Sequence, residues 1–411
     1  MEEINTALLD WNPWIGGEMP AELYGYKREV NLADSLKFKE IKIIEGGRRV
    51  GKSTLLYQVI SEILKTSNNV LYINFDDEII NKFTLREIFN SFLEIQNIDY
   101  LFLDEIQNCK QWVSFIRKLY DTRTVKQIYI TGSNSTLIKQ EYATLLTGRT
   151  THLDIKPLNF KEYLSFKNIN YKLRSSKNVA VIKNEFYKYM KEGGFPEVVK
   201  REYSKKELLV QYFEDFIYKD IVSRYKVNAS KVKELAIFLA SNIGKPISYR
   251  KTGISLNLSN LTVQDYINYL KEIYILSEIY KYDFSLKKQY HGKKKPYFLD
   301  VGIANNISFR FSSDTGRVLE NIVYNNLKDA YLYDGSYECD FLVKEDLKIT
   351  QAIQVTNSIK STENREIKGV VEAMDSHNLK DGLILTLEDE DMIEIDGKKI
   401  IVLPVWKWLL Q

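Results

Sequence analysis

The sequence predicts an α/β protein of several domains, the first containing a five-stranded parallel β-sheet. With 411 residues the chain is too long for one ordinary core, so about two to four domains are expected. Up to Ile155, short apolar runs alternate with helical stretches, and after Pro157 the pattern becomes helix-rich before strands return. Each run is almost continuously apolar, as buried parallel strands are. The predicted strands are Ile41–Ile44, Val70–Phe75, Tyr100–Leu103, Gln127–Thr131 and His152–Ile155.

Composition narrows the class of protein. The chain is 44% hydrophobic and 27% charged, which is typical of a soluble globular protein. Its net charge of +3 means that any nucleic-acid contact must come from a local patch. Cys109 and Cys339 lie far apart, which argues against a disulfide framework or a zinc module and fits a reducing cytoplasm. No apolar run approaches the roughly 18 residues of a membrane span, and the N-terminus lacks the layout of a signal peptide. We therefore expect a cytoplasmic protein without a membrane partner.

A phosphate-binding loop follows the first predicted strand. Its glycines allow successive backbone N–H groups to converge on phosphates, and the dipole of the following helix favours negative charge there. Lys52 would reach the β and γ phosphates, and the Ser53 hydroxyl would bind Mg²⁺. The sequence therefore predicts bound ATP and Mg²⁺. The residues matching G-x-x-x-x-G-K-[ST] are Gly46, Gly47, Arg48, Arg49, Val50, Gly51, Lys52 and Ser53, and Thr54 follows them.

Two acids end the third predicted strand. We expect Asp104 to hold the metal ion and Glu105 to orient and activate the attacking water. An apolar strand that ends in two solvated acids would look the same in isolation. The position of this pair about fifty residues after the phosphate loop favours the catalytic interpretation.

Two further elements are candidates for contact with the γ-phosphate. The fourth strand runs into Thr131-Gly132-Ser133-Asn134, and Asn134 or Ser133 is predicted to sense the γ-phosphate. Arg149, just before the fifth strand, would stabilise transition-state charge in its own site or in that of a neighbouring subunit. Action in a neighbour's site would require a homo-oligomer. A strand-end turn and a structural ion pair are the respective alternatives.

These motifs, in this order, resemble the AAA+ ATPase superfamily. More narrowly, they resemble a group of archaeal and bacterial ATPases that carry a winged helix and a C-terminal domain like the PD-(D/E)xK nucleases. The resemblance covers most of the chain up to Tyr225. It rests on Gly46–Thr54, Leu103–Gln107, Thr131–Asn134, Gly148–Arg149, Pro157–Phe160 with Glu162, Gly193–Glu197 and Tyr218–Tyr225.

The resemblance implies a Rossmann-like sheet with strand order 5-1-4-3-2 and a helical lid formed by Phe160–Tyr225. It also implies a basic contact near Arg28, upstream of the first strand. The domains expected from it are an AAA+ nucleotide-binding domain over 1–157, a lid over 158–227, a winged helix over 228–302 and a nuclease-like domain over 303–411.

The winged-helix prediction rests on three helices followed by a hairpin. The helices are expected at Lys231–Ser241, Tyr249–Leu256 and Thr262–Ile273, with Thr262 as the cap of the third. Such a layout would place the third helix in the major groove of double-stranded DNA and the hairpin on phosphates. The alternative is a protein-interaction module, because the third helix is not notably basic. The residues expected at the hairpin tip are Lys287, Lys288, His291, Lys293, Lys294 and Lys295.

The helix-strand-strand-strand-helix-strand order expected for the last region resembles the PD-(D/E)xK restriction-endonuclease fold, which implies a mixed sheet. Asp340 and Gln354 match the metal-binding acid positions by spacing, and Glu320 on the preceding helix is a further candidate ligand. Thr356 stands where the motif needs a lysine, so a fold without cleavage is favoured over a nuclease.

Three functions follow from these predictions. The leading one is an ATP hydrolase that drives conformational change on DNA or on a protein partner. A slow nucleotide-gated switch is the second, and a DNA nuclease regulated by its ATPase part is the third.

Overall fold

A computed structural model describes residues 2–17, 25, 27–28, 39–133, 146–173, 175–309, 314–361 and 363–411. Contacts between backbone positions divide the chain into two compact units, Met1–Lys156 and Pro157–Gln411. The finer division of the second unit into lid, winged helix and nuclease-like domain remains a prediction.

The first unit contains a five-stranded sheet in which all neighbouring strands are parallel. Its order is β2-β3-β4-β1-β5, which confirms the predicted order. Strands β1, β2 and β4 are almost wholly buried, which explains their continuous apolar runs. The described elements are α1 (Glu2–Trp11), β1 (Ile41–Glu45), α2 (Lys52–Leu64), β2 (Val70–Asn74), α3 (Leu85–Leu93), β3 (Tyr100–Asp104), α4 (Trp112–Asp121), β4 (Gln127–Gly132) and β5 (Thr150–Asp154).

Helix α1 was not predicted from the sequence. It buries Ile4 and Leu8 against the core of the sheet. Asn12, just after the helix, binds the backbone of Tyr72 twice: its side-chain nitrogen donates to the carbonyl at 2.8 Å, and its oxygen accepts from the amide at 2.7 Å. Strand β2 is an edge strand, so Asn12 satisfies backbone groups that would otherwise lack partners.

The second unit begins with helices. The longest described helix, α6, has 17 residues, and none in the described part of the chain is both long and apolar enough to cross a bilayer. Between α8 and α9 the chain forms a π-helical turn, Phe216–Val222. The helices are α5 (Phe160–Phe166), α6 (Ser176–Glu192), α7 (Pro196–Lys200), α8 (Lys205–Asp215) and α9 (Ser223–Tyr225).

The two glycines that interrupt these helices are needed for close packing. Gly193 has a φ of +76°, and a Cβ there would lie 2.2 Å from Oδ1 of the buried Asp300. The amide of Gly194 donates to Asp300 Oδ2 at 2.7 Å, and the amide of Ile303 donates to Oδ1 at 3.1 Å. Burial raises the pKa of Asp300 to about 6, although these backbone hydrogen bonds oppose the shift. The two glycines that end α6 thus allow the backbone to bind a buried carboxylate that is more than a hundred residues later in the sequence.

Three helices and a hairpin follow, as the winged-helix prediction requires. The third helix starts at Asn260 and is capped by Ser259, whose oxygen accepts from the amide of Thr262 at 3.0 Å, so the predicted cap at Thr262 is wrong. Ile247, which precedes the second helix, forms an isolated antiparallel β-bridge with Lys294 of the hairpin. The elements are α10 (Ala229–Ser241), α11 (Tyr249–Leu256), α12 (Asn260–Glu272), β6 (Leu276–Tyr280), α13 (Leu286–His291), β7 (Lys294–Phe298) and α14 (Val301–Ile307).

Two of the lysines predicted at the hairpin tip do not lie there. Lys294 and Lys295 belong to strand β7, paired with Tyr280 and Ile279. Lys295 is buried, with 2% of its surface exposed. The tip itself contains the short helix α13, on which Lys287 and Lys288 are exposed.

The chain described after α14 forms a six-stranded mixed sheet, as predicted in outline. Its order is β12-β13-β11-β10-β9-β8, with β10, β11 and β13 parallel and the other pairings antiparallel. The hairpin β12–β13 was not predicted. The elements are α15 (Thr315–Asn326), β8 (Ala330–Asp334), β9 (Glu338–Glu345), β10 (Lys348–Val355), α16 (Glu363–His377), β11 (Asp381–Thr386), β12 (Asp391–Ile395), β13 (Lys398–Pro404) and α17 (Val405–Trp408).

Candidate nucleotide site and C-terminal cluster

The candidate nucleotide site lies at the carboxyl ends of β1, β3 and β4. Because these neighbouring strands are parallel, the residues that follow each of them meet at one edge of the sheet. In open α/β sheets, ligands bind at this edge. Here it assembles the phosphate loop after β1, the acids at the end of β3 and the polar segment at the end of β4.

The phosphate loop has the backbone geometry that its glycines predict. Gly46 and Gly51 have φ values of +153° and +95°. A Cβ on Gly46 would lie 2.2 Å from the carbonyl oxygen of Ile155, so no larger residue fits. Lys52 is buried, and its ammonium donates to the carbonyls of Gly46 and Gly47 at 3.1 and 3.0 Å. The loop thus folds around the ammonium of its own lysine.

Arg28 binds the backbone of the phosphate loop. Its guanidinium donates to the carbonyl of Val50 within the loop and to that of Lys156, each at 2.8 Å. The side chain is buried. Arg28 therefore fixes the loop backbone relative to the segment that follows β5.

Two hydroxyl groups hold Asp104. Tyr72 donates to its Oδ2 at 2.7 Å, and Thr131 donates to its Oδ1. The Thr131 oxygen also accepts from the amide of Glu105 at 3.0 Å. Burial and the charge of Asp104 raise the pKa of Tyr72 well above its usual value, so the tyrosine stays a donor. These contacts fix the orientation of a carboxylate that is 1% exposed.

Glu105 lies beside the lysine of the phosphate loop. Its Oε1 is 3.6 Å from the Lys52 ammonium, and its Oε2 accepts from the amide nitrogen of Gln107. Burial alone would raise the pKa of Glu105, but Lys52, Gln107 and Arg48 outweigh it and lower that pKa below its usual value. Glu105 is thus an ionised carboxylate in a largely buried site, as a general base must be.

This set of groups fits Mg²⁺ with ATP. Ser53 and Thr54 lie in the first turn of α2, where backbone N–H groups and the helix dipole favour phosphate. Carboxylates and hydroxyls are the protein ligands that Mg²⁺ prefers, and Asp104 and Ser53 would supply them. The metal ion would neutralise charge that develops on the transferred phosphoryl group.

Two predicted residues do not take part in this arrangement. Asn134 lies outside the described residues. Arg149 precedes β5, and its carbonyl accepts from Ile41 at the start of β1, so it lies at the amino edge of the sheet. The length of β1, about 13 Å at 3.3 Å per residue, separates that edge from the phosphate loop. Arg149 pairs with Asp121 at 2.9 Å. This position agrees with the alternative of a structural ion pair and not with a role in the chain's own phosphate site, and the role in a neighbouring subunit stays a prediction.

Two family models match parts of this chain. Residues 38–164 match a family model described as an AAA domain, and residues 183–314 match a domain of unknown function, DUF8612. The chain is 36% identical over 405 residues to the uncharacterized protein MJ1544 of Methanocaldococcus jannaschii, covering 90% of this chain and 88% of that protein. The chain belongs to the MJ1544 family. An uncharacterized protein of Haemophilus influenzae is 30% identical, over 93% of this chain and 98% of its own length.

Solved structures resemble this MJ1544-family member only remotely. The Aeropyrum pernix ORC1 protein in complex with DNA has 12% identity and a TM-score of 0.31, covering 74% of this chain and 91% of that one. AMPPCP-bound DnaA from Aquifex aeolicus has 18% identity and a TM-score of 0.28, covering 64% and 92%. Values this low carry no information on function.

The predicted second metal site of this family member contains a lysine. The ammonium of Lys295 lies 2.9 Å from Glu320 Oε1 and 3.0 Å from Asp340 Oδ1, and 2.7 Å from Glu338 Oε1. Gln354 accepts from the amide of Asp340 at 3.0 Å instead of facing an open site. We call these five residues the Lys295 cluster.

The Lys295 cluster does not fit a divalent cation. Lys295, Glu320 and Asp340 are at most 7% exposed, and the ammonium stands between the two carboxylates where a metal ion would bind. No group of three or more His, Cys, Asp or Glu side chains suited to a metal ion occurs in the described ranges. Burial would lower the pKa of Lys295, but Asp340, Glu320 and Glu338 raise it well above its usual value. The lysine therefore stays charged.

Some residues of both sites could not be found from the sequence. Tyr72 lies in an apolar strand and looks like an ordinary core aromatic. Lys295 looked like one of several solvated hairpin lysines, although its alternation with the apolar strand residue Tyr297 was a weak signal of an inward direction. Gln107 belongs to the motif that carries the resemblance, but a single glutamine after a strand-end acid gives no sign of its partners in the sequence.

Proposed function

We propose that this protein hydrolyses Mg²⁺-bound ATP and couples hydrolysis to conformational change on DNA or on a protein partner in the cytoplasm. The observation that carries the proposal is the pair of buried Lys52 and largely buried Glu105, 3.6 Å apart at the carboxyl edge of a P-loop sheet. A phosphate-binding lysine beside an ionised carboxylate is what in-line attack of water on a γ-phosphate requires.

The residues divide into three tasks in this proposal. Lys52 and the loop backbone bind the phosphates. Ser53 and Asp104 hold Mg²⁺, and Glu105 takes a proton from the attacking water. Lys52 now donates to loop carbonyls and pairs with Glu105, so phosphate binding would exchange these contacts for the β and γ phosphates.

Steady-state ATP turnover tests the proposal. We expect Mg²⁺-dependent release of phosphate by the wild-type protein and a loss of at least about 10²-fold in Lys52→Ala, because a charged donor to the phosphates is removed. Lys65→Ala is the matched control, since Lys65 is an exposed lysine just after the same helix. Tight ATP binding without turnover by the wild type would instead support the slow nucleotide-gated switch.

Double-stranded DNA is the partner that the hairpin favours. Lys287 and Lys288 are exposed on α13 at its tip, next to the exposed Phe284 and Tyr290. Lys271, by contrast, pairs with Glu278 at 3.1 Å, so helix α12 offers little positive charge. Contact would therefore depend on the hairpin and on phosphates rather than on bases.

Salt dependence tests the DNA contact. If Lys287 and Lys288 each neutralise one phosphate, changing both to alanine should reduce the slope of log K against log salt by about 2. Changing the exposed Lys110 and Lys118 to alanine in the same way should leave the slope unchanged. Absence of salt-dependent affinity for any duplex in the wild type would leave a protein partner as the proposal.

DNA cleavage is not proposed. A phosphodiester would have to reach carboxylates that are buried and already paired with Lys295. The C-terminal sheet is better interpreted as a non-catalytic module.

A further inference from the structure

The turn after β3 has an unusual backbone. Glu105 has a φ of +51°, in the left-handed region that non-glycine residues rarely adopt, and a 3₁₀ turn over Ile106–Asn108 follows it. The amide of Glu105 is held by Thr131 at 3.0 Å. A left-handed residue costs free energy, and such residues cluster at functional sites. The turn places the side chains of Glu105 and Gln107 together beside Ser133 at the end of β4.

Gln107 uses both hydrogens of its amide within this site. Its nitrogen donates to Glu105 Oε2 and, at 3.1 Å, to the hydroxyl of Ser133. An amide nitrogen has two hydrogens, so no further donor remains. The two contacts fix the rotation of the amide and hence the direction of its oxygen.

The oxygen of this amide is buried and has no hydrogen-bond partner among the described residues. A buried acceptor without a donor costs about 1–3 kcal/mol. An unpaired acceptor beside a candidate general base is suited to a donor that binds during the reaction. The oxygen belongs to the same amide that touches Glu105, so a water held by the Glu105 carboxylate would lie beside it.

We propose that Gln107 positions the attacking water together with Glu105. Its amide nitrogen holds the carboxylate, and its amide oxygen accepts one hydrogen of the water whose other hydrogen points to Glu105. This inference rests on the proposed ATP hydrolysis.

The chemistry balances without further reactants. The water oxygen forms a bond to the γ-phosphorus, and the bond from that phosphorus to the β–γ bridging oxygen breaks. The electron pair of the broken bond stays with ADP, and the proton of the water passes to Glu105. With one hydrogen bonded to Glu105 and the other to Gln107, a lone pair of the water is free to face the phosphorus.

Variants of Gln107 separate positioning from simple packing. Gln107→Leu removes both amide functions, and Gln107→Glu keeps an acceptor but loses the donors to Glu105. We expect each to lower kcat about 10²-fold, because a misplacement of about 1 Å has that effect. The dissociation constant for a non-hydrolysable ATP analogue should change less than about twofold. Gln111→Leu, at an exposed glutamine four residues further on, is the matched control.

A double substitution tests whether Gln107 acts through Glu105. Glu105→Gln with Gln107→Leu should be no slower than Glu105→Gln alone, since residues that act as a unit are not additive. Independent roles would instead multiply the two losses.

The outcomes distinguish this inference from the proposed function. A wild-type protein without ATP turnover overturns both. Turnover in the wild type with Gln107→Leu within about twofold of it overturns the inference alone. Lost affinity for the analogue, a lowered melting temperature in Gln107→Leu, or multiplied losses in the double variant would give Gln107 a structural role and also overturn the inference.

Discussion

Replacing Glu105 by glutamine is expected to lower the turnover number for ATP by about 10²–10⁴-fold. An amide has the size of a carboxylate but cannot accept the proton of the attacking water. The pairing of Lys52 with Glu105 predicts a second effect. In Glu105→Gln, Lys52 loses the anionic neighbour that lies 3.6 Å away and is freer to bind phosphate. Affinity for ATP should therefore be unchanged or higher.

Single-turnover kinetics and analogue binding measure these two effects separately. Glu94→Gln, an exposed glutamate on the same unit, is the control and should behave as the wild type. Turnover of Glu105→Gln within about threefold of the wild type would rule out Glu105 as the base. Loss of binding without change in the chemical step would assign it to the phosphate-binding loop instead.

Replacing Lys295 by methionine is expected to lower the free energy of unfolding of the second unit by about 3–5 kcal/mol. Methionine fills much of the same space, so packing is largely kept. The loss arises because Glu320 and Asp340, both buried, would face each other without a cation. Burial and Asp340 already raise the pKa of Glu320 above its usual value, and removal of the ammonium would raise it further.

Thermal and denaturant unfolding of the full chain test this prediction. Lys288→Met, an exposed lysine on the same hairpin, should change stability by less than about 0.5 kcal/mol. Equal stability of Lys295→Met and the wild type would show that the cluster contributes no net stabilisation. Metal-dependent DNA cleavage by the wild type that Asp340→Ala abolishes would contradict the non-catalytic interpretation of this cluster.

Strand patterns were the most predictable part of the fold. Apolar runs located the first four strands of the first sheet at the residues where they start. The fifth, Thr150–Asp154, begins two residues before the predicted start and is largely exposed, so it is not the buried run that was expected. Helix α1 and the hairpin β12–β13 were missed for different reasons. The apolar residues Ile4, Ala7, Leu8 and Trp11 of α1 have helical spacing, but the helix has only ten residues. Strand β12 is exposed along much of its length, so its apolar pattern is weak.

Local chemistry also located the phosphate loop and the acids that follow β3. Gly46 and Gly51 act through the backbone, and Lys52 acts through its charge. The three residues lie within seven consecutive positions, so their spacing in the sequence is enough to identify the phosphate loop. Asp104 and Glu105 are next to each other at a strand end. A property that depends on neighbours in sequence can be recognised from sequence.

The sequence by itself determined the parallel sheet and the elements of a phosphate site at its carboxyl edge. Only the tertiary structure decided which groups surround them. The hydroxyl of Tyr72 meets Asp104 from a neighbouring strand, and Arg149 lies at the opposite edge of the sheet from the phosphate loop. Lys295, expected on a solvated hairpin tip, occupies the cation position among acids of α15 and β9. The physical reason is that a charge is paired by whatever lies within a few ångströms, and those distances are set by packing between segments far apart in the chain.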